Sequence, residues 1–352
     1  MFAVKLIKQH NEPNIWLISY LLIAVLAIFL LISLTTGAGY ISVGQSLAYL
    51  LGQPDAIADN KLASVMETLR MPRTIAAIII GGCLGVAGTL MQTVTRNPLA
   101  EPGLLGVNAG AALGVVIGIS FLAAETGYAY LVWAILGALV GSGIILWVAN
   151  HGSAVVTPVK LVLAGIAISA TFHGITSFLL INSQATYDQY RYWVLGSLAG
   201  VDLKSISQVS PFLVIGLIAS LILTRPLASL MLGDDVAKSL GHKPALTRFI
   251  VTITVTLLAG GSVALAGPIS FLGLIAPFLA RAITGPALFH QLILSALFGA
   301  LVVLIADICA RLIVQPFEAS VGVILAIIGA PLLIGLTHSS RFSQLILSKT
   351  GS

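Results

Sequence analysis

The sequence predicts an all-α, polytopic membrane protein of about ten transmembrane helices, and composition is the first reason. Of its 352 residues, 58% are hydrophobic and only 8% are charged, whereas a soluble domain carries about 25% charged residues. So few charges cannot cover a surface that faces water. One span needs about 20 apolar residues, so the roughly 200 apolar residues suffice for about ten spans. The composition excludes a cytoplasmic enzyme, a nucleic-acid-binding protein and a disordered chain.

The second reason is the arrangement of apolar runs along the chain. The first run, from Ile15 to Leu34, contains no charge and is longer than the apolar region of a cleaved signal peptide, so we expect it to stay as a span. No segment is long enough for a separate soluble domain, which predicts one membrane domain over residues 1–352. The predicted spans are residues 15–36, 74–94, 104–122, 128–149, 159–182, 209–224, 249–266, 269–284, 288–313 and 319–338.

The basic residues predict the orientation. Ten spans place both termini on one side of the membrane, and with the termini inside, eleven of the seventeen Lys and Arg residues fall in inner segments. The positive-inside rule therefore favours cytoplasmic termini. The inner and outer ends of each span are named for this predicted orientation. The longest inner segment is residues 225–248, and the outer segments include residues 37–73 and 184–208.

Small residues at helical spacing predict where the spans approach one another. Glycines four residues apart lie on one face of a helix and allow close contact between backbones in lipid. Packing within the chain is favoured over a dimer interface as their purpose. The glycines that follow this spacing in the spans are Gly81 and Gly85 in the second, Gly106, Gly110, Gly114 and Gly118 in the third, and Gly137 and Gly141 in the fourth.

Motifs for catalysis or cofactor binding are missing from the sequence. It has no phosphate-binding loop with the pattern G-x-x-x-x-G-K-[ST], no H-x-x-x-H helix for zinc and no G-x-S-x-G nucleophile elbow. We therefore predict no catalytic, cofactor-binding or metal-binding residue. Asp307 and Arg311, four residues apart in the ninth span, could serve as a proton or ion relay, but a local ion pair is favoured. His173 could face a pathway, although a buried core histidine is favoured.

The inner segment 225–248 contains a predicted short helix. Two acids, Asp234 and Asp235, suit its N-terminus, Lys238 suits its last turn, and Gly241 suits the position after its C-cap. A structured helix is more than a simple connection needs. It offers a docking surface for a cytoplasmic partner, with a helix lying on the membrane surface as the alternative.

Several sequence blocks resemble one known family, the FecCD/BtuC-type permeases of binding-protein-dependent ABC importers for ferric siderophores, haem and vitamin B12. The resemblance extends over most of the chain from about residue 62. The blocks that carry it are residues 70–74 (RMPRT), 88–93 (GTLMQT), 96–110 (RNPLAEPGLLGVNAG), 161–165 (LVLAG), 192–200 (YWVLGSLAG), 267–274 (GPISFLGL), 306–311 (ADICAR) and 329–331 (GAP).

The resemblance implies a type II ABC importer permease in the bacterial inner (cytoplasmic) membrane, crossing it many times. It implies a second permease subunit (identical or a paralogue), two ATPase subunits and a periplasmic or lipid-anchored substrate-binding protein. Membrane lipid surrounds the chain, and no nucleic acid is involved. The chain itself would hold no cofactor and be no enzyme, because ATP and magnesium belong to the partner ATPase. We expect a ferric siderophore as cargo, with vitamin B12 or haem as alternatives.

The resemblance also assigns roles to residues. Residues of the inner helix match the coupling helix that contacts the ATPase: Gly233, Asp234, Asp235, Val236, Ala237, Lys238, Leu240 and Gly241. Arg70, Arg73 and Arg311 match outer positions that pair with glutamates of the binding protein, and we expect them to be exposed. Asp307 then supports Arg311. Thr157 is the one hydroxyl residue left where related permeases have a cytoplasmic gate, and Phe278 replaces a histidine common in relatives.

Two functions of other classes remain as alternatives. A secondary carrier driven by protons or sodium would work without an ATPase subunit, although such carriers usually contain more buried charge. A membrane enzyme with a buried active site is disfavoured by the missing catalytic motifs.

Overall fold

The computed structural model describes residues 14–37, 39, 41–122, 127–150, 158–315 and 317–338. All regular secondary structure within these residues is helical. The α-helices are α1 (Ile15–Thr35), α2 (Val43–Leu50), α3 (Pro54–Ala58), α4 (Asn60–Ser64), α5 (Met71–Thr95), α6 (Val107–Leu122), α7 (Gly127–Asn150), α8 (Pro158–Ile181), α9 (Gln184–Trp193), α10 (Leu203–Ile222), α11 (Thr224–Met231), α12 (Asp234–Ser239), α13 (Pro244–Ala266), α14 (Leu272–Thr284), α15 (Leu288–Leu312) and α16 (Val321–His338). A π-helix (Val65–Arg70) precedes α5, and a 3-10 turn (Pro102–Leu105) precedes α6.

The apolar helices confirm the prediction of a polytopic all-α fold. Within the described part of the chain, seven are long and apolar enough to cross a membrane, and three shorter apolar helices accompany them. The three shorter ones are Val107–Leu122, Leu272–Thr284 and Val321–Gly335. Together they occupy the ten predicted segments. The main difference in bounds is at α10, which begins at Leu203 rather than at residue 209, because the Asp202 carboxylate accepts a hydrogen bond from the Ser205 N–H (2.8 Å) and caps the helix.

The outer segments contain more helix than predicted. Residues 37–73 are predicted only as an outer segment, yet they hold α2, α3, α4 and the π-helix that continues into α5. Helix α9 occupies part of the second outer segment. The side chain of Ser42 and that of Gln45 form a capping box at the start of α2. Local capping of this kind sets short helices that a search for apolar runs does not detect.

Helix α5 lies at the centre of the bundle and contacts α13, α14 and α15. Glycines make its contact with α15 close. A Cβ atom at Gly81 would lie 2.4 Å from the carbonyl oxygen of Gly299, and one at Gly85 would lie 2.1 Å from that of Ser295. Any side chain here would force the two helices apart. In contrast, α1 is mostly unburied and exposes large apolar side chains such as Leu17 and Leu21, as a lipid-facing helix does.

A second close contact joins α6 to α7. A Cβ atom at Gly110 would lie 2.3 Å from the carbonyl oxygen of Gly137, and one at Gly114 would lie 2.3 Å from that of Trp133. Gly118 faces the Trp133 ring. Gly106 differs from the prediction because it precedes α6 in a left-handed conformation (φ 69°) and is not on the helical face. Only a residue without a Cβ adopts that turn at little cost.

Candidate functional site: charged clusters at the two ends of helix α5

The three predicted outer arginines come together at one end of the bundle. Arg70 ends the π-helix, Arg73 lies in the first turn of α5, and Arg311 lies in the last turn of α15. The expectation that they are exposed is wrong, because they are only 4%, 6% and 3% exposed. We call Arg70, Arg73, Arg311, Asp307 and Glu318 the arginine cluster.

Two of these arginines cap the C-terminus of α1. The Nη1 group of Arg70 donates hydrogen bonds to the carbonyl oxygens of Leu34 (3.1 Å) and Thr35 (3.0 Å). The Nη1 group of Arg311 donates to the carbonyl oxygen of Ser33 (2.9 Å). The last carbonyls of a helix have no partner within the helix and carry partial negative charge. Arg70 and Arg311 therefore have a structural role that explains their burial.

Arg73 has a different environment, built from two acids. Its Nε donates to Asp307 Oδ1 (2.6 Å), and its Nη1 donates to Glu318 Oε2. Asp307 is fully buried and also lies 2.8 Å from Arg311 Nη2, at ion-pair distance without hydrogen-bond geometry. Asp307 is thus a counter-ion shared by two guanidinium groups, which is the supporting arrangement that the sequence predicts. The Nη2 group of Arg73 has no hydrogen-bond partner among the described residues.

A cavity of about 360 Å³ opens beside the arginine cluster. All three arginines line it together with Glu318, and two further charged residues, Asp59 and Lys61, contribute from the α3–α4 region. A guanidinium group beside a cavity can bind a carboxylate through strong charge-assisted hydrogen bonds. The cluster is therefore a candidate site for an acidic group from outside the chain.

The opposite end of α5 approaches the short helix α12. Its first residue follows Gly233, which adopts φ 121°, and Gly241 follows its C-cap with φ 82°. The N–H of Gly241 donates to the Lys238 carbonyl (2.9 Å), and the N–H of His242 donates to the Ala237 carbonyl (2.9 Å). These two bonds form a Schellman motif. The predicted helix and its capping glycine are confirmed.

Asp234 attaches α12 to the helix bundle. Its carboxylate accepts two hydrogen bonds from Arg248 Nη2 (2.7 and 2.9 Å) at the start of α13 and one from Arg96 Nη2 (3.0 Å) just after α5. Arg96 also donates to the Leu230 carbonyl at the end of α11. The hydrogen bond from Arg248, and then the charges of Arg248 and Arg96, hold the pKa of Asp234 below its ordinary value. We call Asp234, Arg96 and Arg248 the clasp.

The other predicted coupling residues of α12 fall into an exposed group and a buried one. The Asp235 side chain is 97% exposed, and Val236, Lys238 and Leu240 are also exposed. Ala237 is fully buried and faces the bundle, which makes it a packing residue rather than a contact for a partner. Helix α12 thus presents a surface of both apolar and charged groups away from the bundle.

Sequence reasoning missed Glu318, Arg96 and Arg248 as site residues. Arg96 belongs to the block 96–110 that resembles the family, whereas Arg248 and Glu318 are single charges in the inner and outer segments. Each of the three is a single charged residue beside an apolar run. Such a charge indicates a special position, but it does not identify the residue that pairs with it. The predicted gate residue Thr157 lies outside the described residues. No group of three or more possible metal ligands is found among the residues described.

The comparisons with known proteins agree over nearly the whole chain. The model of the FecCD transport family matches residues 25–339. The chain is 38% identical over 310 residues to the Fe(3+)-citrate import system permease protein YfmD of Bacillus subtilis (strain 168), covering 88% of this chain and 91% of that protein. It is 39% identical over 321 residues to the ferric enterobactin transport system permease protein FepD of Escherichia coli (strain K12), covering 90% and 95%.

A solved structure gives the same result for the fold. It is an inward-facing conformation of a metal-chelate type ABC transporter, which superimposes with a TM-score of 0.78 at 27% sequence identity. The similarity covers 90% of this chain and 97% of the other.

Proposed function

The chain belongs to the FecCD transport family, and from this premise we propose that it is the transmembrane permease subunit of an ABC importer for a ferric siderophore. The observation that carries the proposal is the capped helix α12, which exposes one face and is fixed to the bundle by the clasp. A helix held in this way can transmit force between a partner protein and the spans. The arginine cluster at the other end of α5 supports a second contact, with the protein that delivers the cargo.

Ferric siderophore is the preferred cargo because the names of the relatives specify iron chelates as their cargo. They include permeases for Fe(3+)-citrate, ferric enterobactin and, for the Bacillus subtilis protein YfiZ (40% identical over 271 residues), a siderophore. These cargoes are iron chelates, and iron here is cargo and not a resident cofactor. Vitamin B12 and haem are the alternative cargoes within the same transport role.

The proposed assembly contains two permease subunits, two ATPase subunits and a substrate-binding protein in a bacterial inner membrane. ATP and magnesium bind the ATPase subunits, which hydrolyse the ATP. The second permease is either an identical chain or a paralogue. The contact with the ATPase involves the exposed residues of α12, chiefly Asp235, Val236, Lys238 and Leu240.

The proposed mechanism is alternating access driven from α12. When ATP closes the ATPase pair, α12 moves with it. The clasp passes the displacement to α5 and α13 through charge-assisted hydrogen bonds, which are shorter and stronger than neutral ones. The spans then open the pathway to the other side, and hydrolysis of ATP resets it.

On the outer side, we infer that Arg73 is the arginine that receives a carboxylate of the binding protein. Arg70 and Arg311 hold the C-terminus of α1, whereas Arg73 lines the cavity and pairs with Asp307 and Glu318, and its buried Nη2 group has no hydrogen-bond partner among the described residues. Long-range attraction between a cationic site and an acidic partner also speeds their encounter. The proposed contact with the binding protein is therefore one buried arginine, Arg73, and not three exposed arginines.

The decisive experiment is uptake in proteoliposomes with and without the partner ATPase. The expected result is accumulation of radiolabelled ferric siderophore only when the ATPase and ATP are present, and a panel of siderophores, haem and vitamin B12 then identifies the cargo. An ion-coupled secondary carrier predicts the opposite: uptake that persists without the ATPase and stops when an uncoupler dissipates the ion gradient.

A further inference from the structure

Arg73 has acidic partners before any other protein binds. Two guanidinium groups, Arg73 and Arg311, share two carboxylates, Asp307 and Glu318. Asp307 contacts both cations, and Glu318 contacts Arg73 alone. An additional carboxylate that binds Arg73 lies beside the negative charge of Glu318 and is repelled by it. Binding at Arg73 is therefore more favourable if one of the two resident acids gives up its place.

Exposure shows which acid can leave. The side chain of Glu318 is 32% exposed, whereas those of Asp307, Arg311 and Arg73 are 0%, 3% and 8% exposed. Moving Glu318 into water restores the hydration of a charge, but moving Asp307 would break a fully buried pair. Glu318 also lies in the connection between α15 and α16, outside any helix. It is free to rotate away without unwinding a span.

The atoms of Arg73 fit such an exchange. Asp307 occupies Nε, Glu318 occupies Nη1, and Nη2 has no partner among the described residues. When Glu318 leaves, Nη1 and Nη2 together form the planar fork that binds a carboxylate through two parallel hydrogen bonds. The cavity beside the cluster gives the incoming group access.

We propose that Glu318 is a displaceable internal counter-ion, which holds Arg73 until a carboxylate of the substrate-binding protein takes its place. The proposal rests on the function proposed above and adds a residue that controls docking. Glu318 stabilises the free permease and competes with the partner. Its removal therefore has opposite effects on stability and on binding.

The test compares Glu318→Gln with the matched control Glu67→Gln. Glu67 is an exposed acid at the same end of the molecule, hydrogen-bonded to Tyr49 Oη (2.6 Å) and not among the residues that line the cavity. Full-length permease in lipid nanodiscs is titrated with the purified substrate-binding protein of its own transporter, and the thermal unfolding temperature of the free permease is measured beside it. We expect E318Q to bind the partner about tenfold more tightly while unfolding at a lower temperature.

Each other outcome has a definite meaning. If E318Q binds as the wild type does, or more weakly, Glu318 is only a structural partner of Arg73 and the proposal is wrong. If E67Q gains as much affinity as E318Q, the effect is one of general surface charge and the proposal is again wrong. If the wild type does not bind the protein at all, the proposed docking function fails first, and this inference fails with it.

Discussion

At the scale of single residues, the charged groups of the arginine cluster and of the clasp each have a specific compensation. Arg70 and Arg311 are stabilised by the terminal carbonyls of α1, Arg73 by two carboxylates, and Asp234 by two arginines. Burying a charge without a partner costs several kcal/mol. The partners here are backbone carbonyls or side chains that come from other helices or connections. This is why arginines that look like exposed partner contacts in the sequence are mostly structural in the fold.

The first prediction concerns the clasp. Asp234→Asn removes the charge that holds Arg248 and Arg96, and we expect it to lower the free energy of unfolding by about 1–3 kcal/mol, the usual value of a charge-assisted hydrogen bond. Asp235→Asn is the matched control, because its side chain is 97% exposed and surface changes usually stay within about 0.5 kcal/mol. Thermal unfolding of the purified variants measures both. Equal unfolding temperatures for the two variants would show that the clasp does not stabilise the fold.

The lowered pKa of Asp234 gives this prediction a pH dependence. A carboxyl group whose pKa is lower in the folded state stabilises the fold above its unfolded pKa, and the contribution disappears as the pH falls through the folded pKa. The difference between wild type and Asp234→Asn should therefore be constant from about pH 5 to 8 and shrink only below about pH 4. A difference that changes near pH 7 would point to another group.

At the scale of helices, α5 forms the core because its glycine face lets other backbones approach. The faces of α5 and α15 meet where Gly81 and Gly85 contact Gly299 and Ser295. Between helices in lipid the hydrophobic effect contributes little, so close van der Waals packing carries the association. One added methyl group at this contact is therefore more harmful than the same group elsewhere on the helix.

The second prediction tests this contact within one helix. Gly85→Ala would place a Cβ atom 2.1 Å from the Ser295 carbonyl oxygen, whereas Gly82→Ala would place one 3.6 Å from the nearest atom, at ordinary contact distance. We expect Gly85→Ala to cost about 1–3 kcal/mol through overpacking. Gly82→Ala should be neutral or slightly stabilising, because alanine favours helix more than glycine. Thermal unfolding of the two purified variants measures the difference in stability. An equal change in unfolding temperature for Gly85→Ala and Gly82→Ala would contradict the packing argument.

The third prediction concerns the exposed face of α12. Val236→Asp and Leu240→Asp place a charge where the ATPase is proposed to bind, and we expect each to weaken co-purification of the ATPase by about tenfold, or about 1.4 kcal/mol. Leu51→Asp is the control, because Leu51 is 70% exposed but lies in an outer segment. Quantified ATPase subunit in affinity-purified complexes measures the loss. A similar loss for Leu51→Asp would indicate misfolding instead.

At the scale of the whole molecule, α5 links the two candidate sites. It has 25 residues, which at about 1.5 Å per residue extend about 37 Å, enough to cross the hydrocarbon core of a bilayer. Arg73 is in its first turn, and Arg96 follows its last residue. The arginine cluster and the clasp are therefore on opposite sides of a membrane that α5 crosses.

The fourth prediction tests this sidedness. Lys61→Cys lies at the outer cavity, and Lys238→Cys lies on α12, with its side chain 62% exposed. In right-side-out membrane vesicles, a thiol reagent that cannot cross the bilayer should label Lys61→Cys at once and Lys238→Cys only after the vesicles are permeabilised. The native Cys83 is buried and Cys309 is half-buried, so the unmodified chain provides the background. Labelling in the reverse order would invert the predicted orientation.

The sequence predicted most of the fold and the short helix α12. Long apolar runs indicate spans directly, since a bilayer fixes their length and composition. The capped helix α12 was predictable because Gly233, the two acids and Gly241 are local signals. The arginine cluster was predicted only as a set of positions. Its burial depends on the C-terminus of α1, more than thirty residues before Arg70 in sequence, and no local pattern reports that contact.

The amino-acid sequence by itself determined the membrane class, the ten apolar helices and the family to which the chain belongs, because these follow from composition, local periodicity and motif order. Only the tertiary structure decided which charges are structural and which face outward. It showed that Arg70 and Arg311 cap α1, that the Nη2 group of Arg73 has no partner in the described part of the chain, and that Asp234 rather than Asp235 holds α12. The physical reason is that the compensation of a buried charge depends on distances between helices far apart in sequence.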